Sequence, residues 1–159
     1  MKTELTIIDK IRNDSSIPTE ARRQIAALAA LGLVDFSLIS LFQMGYIEEL
    51  PDLPGKLFDT KKVNTSKDAV LLGLPDGVVS LGGYTATIIL AMAATRYKKQ
   101  SRLLDMALAG VMLGQAAGAA QYLVNMTFVQ KKICIYCLAG AAINFTALSP
   151  LRRLFRFRD

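Results

Sequence analysis

The sequence predicts an all-α membrane protein: a four-transmembrane-helix bundle with a short surface helix in its first extracytoplasmic loop. Three observations carry this. Of 159 residues, 52% are hydrophobic and 20% charged, against roughly 25% charged in soluble domains. The apolar residues gather in four blocks near the length of a bilayer span. Basic residues alternate in abundance between the segments that separate the blocks. A soluble protein with buried helices fits poorly, because such helices rarely run so long without charges.

The first block runs from about Ile25 to Tyr46 and carries one charge, Asp35. The second runs from about Gly73 to Ala94, with Pro75 and Asp76 near its start. The third runs from about Leu103 to Phe128, without charge after Asp105. The fourth is shorter, from about Ile133 to Leu148, and ends before Pro150. Together they define a membrane domain over 25–149, between a cytoplasmic segment (1–24) and a basic cytoplasmic tail (150–159). The first 24 residues have no apolar core of signal-peptide length, so no cleavage is expected and the first span serves as an anchor. In the first loop, Pro51, Pro54 and Gly55 break the chain. Ser66 to Leu72 then read as a short surface helix with Ser66 as N-cap.

Thirteen of nineteen basic residues lie in the N-terminal segment, the second loop and the tail. Those parts are therefore expected in the cytoplasm, with the first and third loops outside. The formal charge of +6 is a topology signal, and no nucleic-acid partner is expected from its layout. The chain has no His, which removes imidazole bases, His metal sites and c-type haem attachment.

Gly110, Gly114 and Gly118 share one face of the third span and read as a close-packing surface. Gln115, Gln121, Asn125 and Asn144 are expected to point into the bundle, either as interhelical hydrogen bonds or as partners for a cofactor's polar atoms. Asp35 lies in mid-span, where an ionised carboxylate costs at least ~2.5 kcal/mol. It must pair, neutralise or reach water. It is either a functional carboxylate or a protonated one bonded to a Ser or amide.

Cys134 and Cys137 are the only cysteines. Three residues apart at the start of the fourth span, they share a helix face and can form a disulfide. The helix N-terminus and Lys131 and Lys132 favour a thiolate at Cys134. The expected topology puts the pair on the extracytoplasmic side, where disulfides persist. A zinc site lacks further ligands within the chain, and no metal site is expected. Two unrelated buried cysteines are the remaining reading.

With these residues assembled, the chain resembles the vitamin K epoxide reductase family, in the form of a bacterial or archaeal-type homologue. The likeness rests on the four-span plan with Cys134-Ile135-Tyr136-Cys137 opening the last span. It rests also on Ala141-Ala142-Ile143-Asn144 after the pair, and on Lys62 to Pro75 followed by Gly83-Tyr84. It covers roughly Ile25 to Leu148.

The resemblance implies a quinone-linked thiol–disulfide oxidoreductase of the inner or plasma membrane, supporting disulfide bond formation. Ubiquinone or menaquinone is the implied cofactor, and a thioredoxin-like redox protein the implied partner besides membrane lipid. Cys137 is then the quinone-facing thiol and Cys134 the exchanging one. Ser66, with Thr65 beside it, matches the loop hydroxyl near the quinone, and Asn144 matches a polar position on the active-site span. Asp35 is a candidate proton source. Two departures stand out. Family members usually carry a second cysteine pair in the first loop, and Thr60 and Asp52 occupy the matching positions here. Ala141 stands where a Tyr is common. A partner's thiols then attack the Cys134–Cys137 disulfide directly. The alternative is a non-catalytic membrane protein of the same fold that binds a partner or a lipid-like ligand.

Overall fold

A computed structural model describes residues 7–93 and 102–156. A short helix α1 (Ile7–Asn13) leads into α2 (Ile17–Gln43). The first loop holds α3 (Thr60–Asn64), a 3-10 turn (Lys67–Ala69) and the two-residue strands β1 (Val70–Leu71) and β2 (Leu74–Pro75). Then come α4 (Asp76–Ala93), α5 (Arg102–Val124) with a π-helical end (Asn125–Val129), and α6 (Ile135–Arg156). The chain is thus mostly helical. Three of its helices are long and apolar enough to cross a membrane: α2, α4, and α5 with its π turn.

The helix ends differ from the sequence expectation for local reasons. α2 starts at Ile17, ahead of the expected Ile25. Ser16 caps it, accepting from the Thr19 N–H at 3.4 Å, and Pro18 sits in its first turn, where a missing N–H costs nothing. α6 runs through Pro150 instead of stopping before it. Beyond the proline, Leu151 and Leu154 are buried with Ile25 and Leu108, and that packing holds the last turns together.

The expected helix over Ser66–Leu72 is helical only from Lys67 to Ala69. Val70 and Leu71 pair antiparallel with Pro75 and Leu74 instead. Leu72 and Gly73 close this hairpin with φ of 55° and 80°, the double positive-φ turn that suits a two-residue loop. The α-helix of the first loop is α3, half buried rather than on the surface, and sequence reasoning passed it over. Its cap is the Asp59 carboxylate, accepting from the Lys62 N–H at 2.9 Å.

The four long helices pack side by side, α2 against α4 and α6, and α5 against α4 and α6. One core cluster joins Ile25, Ala91, Leu108, Met112, Ala147 and Leu154. The other joins Ile39, Val63 and Met126 to both cysteines. In the first cluster's half of the bundle, Arg22 on α2 and Asp105 on α5 form a fully buried ion pair. Arg22 is therefore a bundle residue and not only a flanking charge. Lys2, Arg96, Lys98, Lys99 and Arg158, all counted for orientation, lie outside the described residues.

The glycine stripe of α5 is the main correction. A Cβ at Gly110, Gly114 or Gly118 would meet nothing within 4 Å. The buried stripe of α5 is Asp105, Leu108, Met112 and Ala116. Two positions along a helix is about 200° of rotation, so the glycines face outward. Gln121 is exposed as well, whereas Gln115 points inward and donates to Thr87 Oγ1 at 2.9 Å. Close approach occurs at other glycines. The Tyr84 ring occupies the notch at Gly32, and the Phe36 ring that at Gly140. The two rings meet at 5.6 Å between centroids.

Candidate active site

The first loop is tied to the start of α6 by backbone bonds. The Asp59 N–H donates to the Ile133 carbonyl at 3.1 Å, and the Ile133 N–H to the Leu57 carbonyl at 2.9 Å. This clamp lays α3 across the residue that follows, Cys134. Cys134 is the N-cap of α6, and its sulfur accepts from the Cys137 N–H at 3.2 Å. A sulfur thus takes the place usually held by a Ser or Asp oxygen. Cys137 lies in the first turn of α6. Both thiols are buried, at 0% and 9% exposure.

Asn64, the last residue of α3, contacts both thiols. Its Nδ2 donates to Cys134 Sγ at 3.2 Å and to the Thr60 carbonyl at 2.9 Å. Its Oδ1 accepts from the Cys137 thiol at 3.8 Å. The amide thereby discriminates between the sulfurs, donating to one and accepting from the other. Cys134 precedes the helix, and its thiol is held down at about 7, below an ordinary thiol. The hydrogen bond with the Cys137 side chain is the largest cause, and the Cys137 N–H, Asn64 and Thr60 add to it against burial. Lys132, one of the two lysines expected to do this, is engaged elsewhere. The Lys132 ammonium meets the Lys56 carbonyl and lies 3.9 Å from Asp59.

Thr60 and Asp52 are joined by hydrogen bonds. The Thr60 N–H and hydroxyl donate to the Asp52 carboxylate at 2.6 and 2.8 Å. This holds the start of α3 down over Cys134. Asp52→Ala is therefore expected to loosen α3 and expose the thiol. At a pH where the thiolate is fully formed, Cys134 alkylation should rise about fivefold, as for ~1 kcal/mol of lost hydrogen bonding. An unchanged rate in mass-spectrometric labelling would show that α3 does not gate the thiol.

Ser66 and Thr65 serve the loop. The Ser66 hydroxyl donates to the Val63 carbonyl at 2.8 Å and accepts from Gln130 at 3.0 Å. The Thr65 hydroxyl donates to the Lys61 carbonyl. Behind the thiols, Gln43 knits three elements: its Nε2 donates to Asp76 at 2.6 Å and to the Asn64 carbonyl at 3.2 Å, and its Oε1 accepts from the Gly77 N–H. The Tyr122 hydroxyl donates to the Val63 carbonyl at 3.4 Å. Asn64, Gln43, Asp76 and Tyr122 escaped sequence reasoning. The polarity of Gln43 and Asp76 at facing helix ends was the available signal.

Asp35 and Asn144 lie deeper, around Tyr84 and Gly140. A Cβ at Gly140 would stand 3.3 Å from Asp35 Oδ2, a buried atom without a hydrogen-bond partner. The Tyr84 hydroxyl donates to the Gly140 carbonyl at 3.4 Å. Gly140 is one helical turn beyond Cys137, so the carboxylate sits below the thiols. Tyr84, Thr87, Gln115 and Asn144 line a cavity of about 10 Å³ among Ile25, Ala29 and Met112. Its mixed apolar and amide lining suits a flat ring with carbonyl groups, but its volume is that of one water. A quinone ring can enter only if the helices part. Among the described residues there is no cluster of three or more His, Cys, Asp or Glu side chains suited to a metal.

The family model described as the vitamin K epoxide reductase family matches residues 23–149. No curated protein matches the chain. The matched region includes α3, the hairpin, both cysteines and most of the long-helix bundle.

Proposed function

This chain belongs to the vitamin K epoxide reductase family, and from that premise we propose that it is a membrane thiol oxidase passing electrons from a thioredoxin-like partner through Cys134 and Cys137 to a quinone. Membrane disulfide and quinone redox chemistry is the general activity of the family. The single observation that carries the finer reading is the Asn64 amide, which donates to one thiol and accepts from the other.

In this reading Cys134 is the exchanging sulfur. A partner's thiolate attacks Cys134, the Cys134–Cys137 bond breaks and Cys137 leaves with the electron pair. The hydrogen bonds that favour the Cys134 thiolate make Cys134 the better leaving group when the partner's second thiol resolves the mixed disulfide. Its burial means that α3 must swing aside for the partner to reach it. Cys137, set among Ile39, Val63 and Met126, then hands the electron pair inward. The quinone, when bound, supplies a two-electron, two-proton acceptor. Gln115 and Asn144 are the residues whose amide N–H groups would hold its carbonyl groups, and Asp35, beside Gly140, would be the proton source. Ser66 and Thr65 act by keeping the loop over the pair.

α6 is read as a fourth span beside α2, α4 and α5. The basic residues then place both termini in the cytoplasm and the cysteines on the extracytoplasmic side of the inner or plasma membrane. A reporter fused at the C-terminus tests the orientation, and a translocated reporter reverses it. The activity is tested with the purified full chain in detergent, a reduced thioredoxin-like protein, and ubiquinone or menaquinone. Loss of partner thiols in step with quinone reduction is expected. Failure with both quinones would defeat the reading.

Asn64→Ala gives a sharper check of the thiol assignment. Without the amide donor, the Cys134 thiolate is less favoured, and its alkylation midpoint moves up from about 7. If that midpoint rises to about pH 8, labelling at pH 6 becomes about tenfold slower. Referring each rate to its plateau at high pH removes changes in access. An unmoved midpoint would show that Asn64 only packs.

A further inference from the structure

At the other end of α6 the bundle has a second polar feature, unrelated to the thiols. A groove of about 340 Å³ runs between α2 and α6, walled by Leu28 and Leu31 and floored by Thr146, Ser149, Pro150 and Arg153. This is within the size range of small-molecule sites, at its lower end. It opens on the outer face of two helices that lie in the bilayer, so its apolar wall meets lipid and not water. Arg153 lies about 24 Å along α6 from Cys137, too far to serve the redox pair.

Three features of the groove point to one kind of occupant. The Arg153 guanidinium donates to Gln24 Oε1, which fixes its position, while its Nε is buried without a partner. A buried N–H beside a cationic group is matched by an anion. Second, Pro150 has no N–H to give the Thr146 carbonyl four residues back, so the helix ladder lacks that bond beside the groove's floor. Third, the nearest acid on α2, Glu20, is already turned to Arg23 and to the Gln24 amide, so Arg153 is the charged side chain lining the groove. An anionic head with hydroxyl donors, continuous with an apolar tail, satisfies all three.

We propose that this groove binds an anionic phospholipid, with the phosphate on Arg153, a headgroup hydroxyl on the Thr146 carbonyl and the acyl region along Leu28 and Leu31. Basic pockets between membrane helices take anionic headgroups in this way. The lipid bridges α2 and α6 where Pro150 interrupts the helix ladder.

The test is native mass spectrometry of the full chain in detergent with equimolar phosphatidylglycerol and phosphatidylcholine of the same chain length. Retained phosphatidylglycerol should exceed phosphatidylcholine about fivefold, the preference that one arginine near the headgroups confers. Arg153→Gln should bring the two to parity. Arg152→Gln, an exposed arginine outside the groove, should keep the preference. Soluble glycerol phosphate should not displace the lipid, because the acyl wall contributes to binding. Ser149→Phe keeps every charge and fills the groove, so it should lose the preference even if Arg153→Gln fails to fold. Equal retention of both lipids by the unaltered chain overturns the proposal. So does a preference that survives Ser149→Phe, one lost equally in Arg152→Gln, or displacement by glycerol phosphate.

Discussion

Cys134→Ser and Cys137→Ser are each expected to abolish thiol-driven quinone reduction, yet to behave differently toward a partner. With Cys137 replaced, a partner disulfide that reacts with Cys134 has no second thiol to resolve it, and a mixed disulfide accumulates. With Cys134 replaced, the remaining thiol lies in the first turn of α6, behind Asn64 and among Ile39 and Met126. It should trap partners poorly. Cys134 should also alkylate with a midpoint near pH 7. The sign follows from its bonding: hydrogen bonds to the sulfur favour the charged form, so reactivity is present above that pH and lost below it. Non-reducing gels and alkylation against pH provide the readings. Quinone reduction at the full rate in either mutant would sink the reading that electrons pass through this pair. Equal, slow alkylation of both thiols would likewise sink the redox reading.

The second large effect is on folding. Gly32→Leu is expected to disrupt the bundle, while Gly114→Leu is expected to leave its thermal midpoint unchanged. At Gly32 a Cβ alone would stand 2.4 Å from the Tyr84 ring, and Tyr84 is itself packed on Phe36. Neither ring can withdraw without opening the contact of α2 with α4 and α6. At Gly114 a Cβ meets nothing within 4 Å. Overpacking a dense site commonly costs about 1–3 kcal/mol for a few methylenes. A whole leucine at a backbone-to-ring contact goes well beyond that. Thermal unfolding in detergent compares the two. A destabilised Gly114→Leu would mean that the outer face of α5 is covered by something absent from the isolated chain.

These two glycines mark the division between sequence and structure. The apolar blocks were legible because span length and lack of charge are properties of a single segment. The cysteine pair was legible because its spacing is local and because it opens an apolar block. The helix caps at Ser16 and Pro18 were present in the sequence as well, although an apolar count alone set the expected start too late.

Glycine spacing, by contrast, says only that three residues share a face. It does not say which face the bundle takes. That was decided by Leu108, Met112 and Ala116, which turned α5 inward on the opposite side. The environment of the thiols was decided in the same non-local way. Asn64 is seventy positions from Cys134, and only the backbone clamp between Leu57–Asp59 and Ile133 brings them within 3.2 Å. Lys132, next to the pair in sequence, was drawn off to Lys56 and Asp59, while Cys137 and an amide from α3 supply the hydrogen bonds that hold the Cys134 thiol down. Sequence by itself determined the helices and the two sulfurs. The start of α6 set the main hydrogen bonds to Cys134, from Cys137, and the packing of the loop added those of Asn64 and Thr60, because hydrogen bonds act over a few ångströms and only the folded chain sets those distances.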